Sequence, residues 1–339
     1  MKKSQTTPRG CYGLTISAKV LNLFIWLLIL VLPQSARAQQ VKISVLPPQV
    51  HILSKPDISL IKAFNFENQG DPGIFSFQIV SFKPRGDQGN LQLLDQAEGP
   101  VRFSLENSDK RLGDKFFLPS RDTAQAIVKI RTTDNAPEGD YYYTLLMVSE
   151  PPTSQATTGR GSAMIGANIL ISVTNTGLTP SSVKVAQFQI VPRYQFRLFG
   201  KTFLVVEPTD EVPVVLKLAN TGAFLITPDA KIQVKGPFGI NKSKKMLAVN
   251  VLSSSQRLLT TRELDSCGHC QTQPSAVFSG FYFGKYQLSA DIGFAGANQK
   301  IFGQSEFWAL PIKLTKTVLL LFIFAFVLLL FLKSKLKHE

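Results

Sequence analysis

The feature that most limits what this chain can become is a period-two alternation of apolar and polar residues, held in short runs between two apolar ends. Phe75-Ser-Phe77-Gln-Ile79 alternates without a break, and Ala124 to Ile130 and Ala167 to Val173 alternate except at Ile127 and Leu170. Val214-Val-Leu216-Lys-Leu218, Lys231 to Val234, Tyr286-Gln-Leu288 and Phe302 to Trp308 repeat the habit. Successive side chains of a strand point to opposite faces, so these runs read as half-buried strands. No segment between the apolar ends keeps a 3.6-residue stripe over about twelve residues, which argues against helical domains. The 20 prolines sit mostly between the runs, where a missing N–H suits turns and strand ends. The expected fold class is all-β: two tandem Ig-like β-sandwiches followed by a single transmembrane helix.

The ends themselves are targeting devices. Lys2, Lys3, Arg9 and Lys19 precede the apolar run Val20 to Leu32, and Ala36-Arg37-Ala38 follows it. At about 1.5 Å per residue that run is too short for a hydrocarbon core of ~30 Å. Residues 1–38 are therefore expected to be a signal peptide, cut after Ala38 at the small residues Ala36 and Ala38, with Cys11 lost alongside. Thr317 to Leu332 carries no charge and is bracketed by Lys313, Lys316 and Lys333, with Lys335 and Lys337 beyond. Lysines at both ends lengthen a short span by reaching outward, and a basic stub marks the cytoplasmic side. The expectation is a transmembrane helix over 313–332 and a basic cytoplasmic tail over 333–339. This makes a single-pass plasma-membrane protein with its bulk outside.

Charge excludes one class of partner. The whole chain is +14, but residues 39–312 hold 27 basic and 22 acidic residues. That balance tolerates anionic wall polymers or lipid headgroups and lacks the dense basic face of a nucleic-acid binder. A near-repeat divides the same region. Asn68-x-Gly70 and Asn220-x-Gly222 each end an apolar strand, and Gly139-Asp-Tyr141 and Gly284-Lys-Tyr286 each open a later one. Gly139 follows Asn68 by 71 residues, and Gly284 follows Asn220 by 64. Asn bonds its own backbone and Gly takes positive φ, so both are sound turn chemistry. The order and spacing predict a shared fold: domain 1 over 39–176 and domain 2 over 177–312, joined near Asn175 to Ser182. Pro137-x-Gly139-x-Tyr141 is expected to form a corner in which the tyrosine hydroxyl finds a partner. Glu150 to Gly161 is a polar loop suited to recognition.

One motif suggests chemistry. Cys267-Gly-His-Cys270 has the spacing of a dithiol redox site, of half a zinc shell, or of a small loop disulfide. No tryptophan precedes it, Asp265 adjoins it and Pro274 follows it closely, features that work against a reactive thiolate at a helix start. An exported compartment allows the pair to oxidise, so a Cys267–Cys270 disulfide is the expectation. Asp71, Asp87, Asp109 and Asp114 are candidates for a calcium site or for solvated loops, and Asn241-Lys-Ser243 is a glycosylation sequon. No other metal, cofactor or nucleophile motif is present, so no catalytic residue and no cofactor is expected.

The whole plan resembles the WxL-interacting protein family, Gram-positive surface proteins that pair a peptidoglycan-binding-like domain with a host- or WxL-protein-binding domain. The residues that carry the resemblance are Val45-Leu-Pro-Pro48, Asn68-x-Gly70, Ala136 to Val148, Asn220-x-Gly222, Phe283-Gly-Lys-Tyr286 and Glu306 to Lys313, spread over residues 41 to 339. Where that family has an Asn- and Tyr-Phe-containing stretch, this chain has His51 to Pro56. Domain 1 also looks like the N-terminal domain of pilus chaperones. The resemblance implies a non-catalytic, membrane-anchored adhesion or scaffold protein that binds a surface protein or cell-wall polysaccharide. The alternatives are a thiol-disulfide oxidoreductase using Cys267 and Cys270, or an exported chaperone-like β-domain protein that accepts a client strand at a sheet edge.

Overall fold

The structure, a computed structural model, describes residues 40–107, 109–150, 163–262, 270, 273–294 and 297–335. The first sandwich contains β1 (Ile43–Leu46), β2 (Gln49–Ser54), β3 (Ser59–Asn68), β4 (Gly73–Arg85), β5 (Asn90–Leu93), β6 (Val101–Leu105), β7 (Lys115–Leu118), β8 (Thr123–Thr132), β9 (Gly139–Ser149) and β10 (Met164–Val173). One sheet runs β1-β3-β8-β6 and the other β2-β10-β9-β4-β5, with β7 also on β4. The alternation decides which side chains go inside. In β3, Phe64, Phe66 and Asn68 are buried, while Asn65 and Glu67 between them face solvent. Phe66 meets Phe77 of the opposite sheet at 5.2 Å between ring centroids. Each such ring, fully removed from water, contributes about 1.5–3 kcal/mol.

The second sandwich contains β11 (Val183–Ile190), β12 (Tyr194–Leu198), β13 (Lys201–Val206), β14 (Val212–Asn220), β15 (Pro228–Lys235), β16 (Asn241–Lys245), β17 (Ser255–Leu258), β18 (Ala276–Phe278), β19 (Gly284–Phe294) and β20 (Ala297–Ala309). Its sheets run β11-β14-β17, with β18 also on β14, and β12-β13-β20-β19-β15-β16. Its core is separate from the first and centres on Tyr282, Tyr286 and Phe307. Tyr286 stacks on Phe307 at 5.2 Å and meets the edge of Tyr282 at the same distance.

Both sandwiches route their opening strand between two sheets. β1 pairs antiparallel with β3, and after Pro47-Pro48 the chain crosses to pair parallel with β10 as β2. Prolines have no N–H to donate, so the ladder breaks where they stand. β11 pairs antiparallel with β14, and the chain later reaches β20 as β13, in parallel. There the hairpin β12–β13 is inserted before the crossing is complete. After β20, Pro311 leads into α1 (Ile312–Lys335), whose stretch Ile312–Leu329 is long and apolar enough to cross a membrane and has none of its length buried in protein. The helix contains the whole uncharged run Thr317 to Leu332.

Candidate functional site

The first sandwich leaves part of one sheet edge open. β2 covers β10 only from Asn168 to Val173, and its first rung is Asn168 N donating to Pro48 O at 2.9 Å. On the other side, Ser149 N donates to Ala163 O at 2.8 Å, so Ala163, Ile165 and Ala167 turn their backbone groups toward β9. Alternation then sends the N–H and C=O of Met164 and Gly166 outward, beside the reach of β2. No strand pairs with that edge among the described residues. Met164 is exposed, while Ile165 packs against the first core and Ala167 belongs to it. Gly166 is needed where it stands, because a Cβ there would lie 2.4 Å from Thr144 Cγ2.

The edge lies on a strand that is held firmly at its other end. Asp140, at the start of β9, accepts from Ser172 Oγ at 2.5 Å, from the Tyr142 hydroxyl at 2.8 Å and from Leu225 N of the second sandwich. The Tyr142 hydroxyl in turn accepts from Ser253 N at 2.8 Å. Around this lie Phe82, Leu170 and Leu252, with Phe82 stacked on Tyr142 at 5.6 Å. Burial raises the Asp140 carboxyl above its usual range, against the opposing pull of Ser172, Tyr142, Leu225 N and His51. His51 Nε2 sits 2.9 Å from Ser172 Oγ. Serine, histidine and aspartate thus meet, but in the wrong order for a nucleophile: the hydroxyl lies between carboxylate and imidazole and gives its proton to the carboxylate. Ser172 is also fully buried.

The turn residues singled out in the sequence occupy matching places in the two sandwiches. Asn68 ends β3 fully buried, with Nδ2 donating to Asp71 O, Leu118 O and Pro119 O and Oδ1 accepting from Gly70 N at 3.1 Å. Asn220 ends β14 and does the same with Phe224 O, Val251 O and Gly222 N at 2.9 Å. Gly139 and Gly284 open β9 and β19 at φ of 143° and 97°. The tyrosines that follow differ. Tyr141 is half-buried and donates to Pro137 O at 2.9 Å, whereas Tyr286 is fully buried and accepts from Phe283 N at 3.2 Å. The ring most deeply buried after the first corner is Tyr143, donating to Glu98 O at 2.7 Å.

Other candidates part company. Ala36 and Ala38 lie outside the described residues, as do Cys267, hence the Cys267–Cys270 bridge, and most of the Glu150 to Gly161 loop. Asp87 is engaged across the junction, 2.7 Å from Lys217 Nζ, and Asp109 pairs with its neighbour Lys110. Among the described residues no three metal-ligating side chains gather. Asn241 is exposed at the start of the edge strand β16. Sequence reasoning missed Asp140 and Tyr142, whose partners lie up to 111 residues away, and it missed the hairpin β12–β13.

No family model matches the chain, and no curated protein matches it. Among solved structures, the class 5 fimbriae chaperone CfaA is similar at 11% identity and a TM-score of 0.36, over 78% of this chain and 99% of that one. The E. coli chaperone DraB gives 12%, 0.34, 78% and 99%. The Salmonella enterica SafA pilin–SafB chaperone complex gives 11%, 0.35, 79% and 98%.

Proposed function

We propose that this chain is a non-catalytic, membrane-anchored β-sandwich protein that holds another exported polypeptide as an added strand on β10. The observation that carries the reading is the outward-facing, unpaired backbone of Met164 and Gly166, next to a strand that covers only the second half of β10. An added strand gains main-chain hydrogen bonds along the edge, and its inward side chains sit beside Ile165 and Ala167. Asp140 and Tyr142 hold β9, the strand behind β10, against the second sandwich, so the edge is presented on a fixed frame. Helix α1 supplies the anchor. The reading needs no reacting group, and the Asp140–Ser172–His51 order offers none.

Met164→Pro tests this. It removes one outward donor and leaves the bonds to β9 in place. The expected result is loss of the co-purifying polypeptide at unchanged thermal stability, while a proline at Leu91 on the opposite edge strand β5 leaves capture intact. Equal capture by both variants contradicts the reading.

A further inference from the structure

The hairpin β12–β13 has features that holding a strand on β10 does not use. Its tip is Phe199-Gly200, both at positive φ (48° and 74°). A two-residue hairpin turn of this hand is normally built from Asn-Gly or Asp-Gly, and a bulky aromatic in the left-handed region is an outlier. Phe199 is also 94% exposed. An aromatic residue held against both local preference and water is a sign of function elsewhere on the surface. Behind it, Tyr194, Phe196 and Leu198 share one face of β12, and Phe203 of β13 is registered opposite Phe196. The other face turns Leu204 and Val206 toward the second core. Phe196 and Leu198 stay about half exposed, and the cations Arg197 and Lys201 flank the tip in solvent.

Two observations say what lies against this face. The first is continuity with the membrane helix. Lys316, in the second turn of α1, places Nζ 5.6 Å from the centroid of the Tyr194 ring, so the helix leaves on the side of the apolar face. The base of the hairpin is bound to the same turns: Lys313 N donates to Glu207 Oε1 at 3.0 Å and Leu310 N to Val206 O at 3.0 Å. The hairpin pairs with β20 only at Val205 and Val206, so its outer part is free of the sheet. The second is charge. Residues 39–176 hold 13 basic and 14 acidic residues, whereas 177–312 hold 14 and 8. The excess of positive charge lies in the sandwich next to the span.

We infer that the β12–β13 hairpin docks on the anionic headgroups of the bilayer that α1 crosses. Tyr194, Phe196, Leu198 and Phe199 enter the interfacial layer, and Lys201, registered opposite Leu198 on the same face, meets lipid phosphates. Aromatic rings with basic neighbours suit that layer, and each cation near an anionic surface adds attraction. β13 runs parallel to β20, so the hairpin lies back alongside that strand from the turn where α1 begins, with Tyr194, Phe196 and Leu198 together on the face that Lys316 meets. The inference rests on α1 spanning the membrane, and resistance of the chain to carbonate extraction reads that separately.

The experiment uses the full chain in vesicles of phosphatidylcholine with or without phosphatidylglycerol. Phe196→Trp reports the environment as a difference spectrum against the unsubstituted chain. The expected result is a blue-shifted emission quenched by brominated lipid, strongest in the anionic vesicles. Adding Lys201→Glu and Phe199→Asn is expected to abolish the shift and the quenching with the fold retained by circular dichroism. Solvent-like emission in both vesicles, in a chain that resists carbonate, overturns the inference. So does a shift that appears only with an added anionic wall polymer, or one that tracks protein concentration and reports a second copy.

Discussion

The two sandwiches share a plan and differ in what they leave uncovered. Both end a core strand, β3 or β14, on a buried asparagine, both open a later strand on a positive-φ glycine, and both send their opening strand across to the last one. In the first, Pro47-Pro48 makes the crossing short, and β2 covers β10 from Asn168 onward. In the second, a hairpin fills the crossing, and β13 reaches β20 over two residues only. There β11 lies close by instead, with the Phe188 ring in the space a Cβ at Gly303 would take. One crossing therefore exposes backbone and the other exposes an apolar hairpin. The same scaffold can serve two surfaces because the variation is confined to one connection.

The comparison can be broken most forcefully at the paired asparagines. Asn68→Ala withdraws a buried donor from three carbonyls and is expected to cost about 3 kcal/mol, and Asn220→Ala, with two, about 2 kcal/mol. Denaturant unfolding of each variant reads the order, and a larger loss for Asn220→Ala contradicts the matched roles. Next comes the junction. Tyr142→Phe removes the hydroxyl shared by Asp140 and Ser253 and is expected to cost about 1–2 kcal/mol. Calorimetry should then show the sandwiches melting as two events instead of one.

Smaller still, Phe199→Asn suits its left-handed position better and is expected to stabilise the second sandwich by about 1 kcal/mol, seen as a higher Tm. The smallest effect is on pH. Burial raises the Asp140 carboxyl, so the folded chain holds that proton more tightly than the unfolded one. The linked stabilisation is complete below the unfolded value of about 3.9 and fades as pH rises through the raised folded value. Asp140→Asn should flatten that slope in urea titrations run from acid to neutral pH.

What was legible in the sequence was local. Asn68-x-Gly70 and Asn220-x-Gly222 announce themselves because side chain and turn lie within two residues. Phe64 and Phe66 follow from alternation alone. The hairpin was hidden because its turn is Phe-Gly, which carries no turn signature at its first position. The open edge was hidden for a different reason. Whether Met164 is covered depends on where β2, more than a hundred residues earlier, begins to pair, and no local pattern encodes that register. Asp140 reads as a turn acid until Leu225 N and Tyr142 are seen around it.

The most direct measurement places a photoreactive side chain at Met164 in the full chain and irradiates intact cells. The account predicts an adduct with another exported polypeptide, mapped to an extended segment of that partner, and no such adduct from a probe at Leu91. An adduct from Leu91 but not from Met164, or labelling at Met164 by glycan and never by polypeptide, would contradict it.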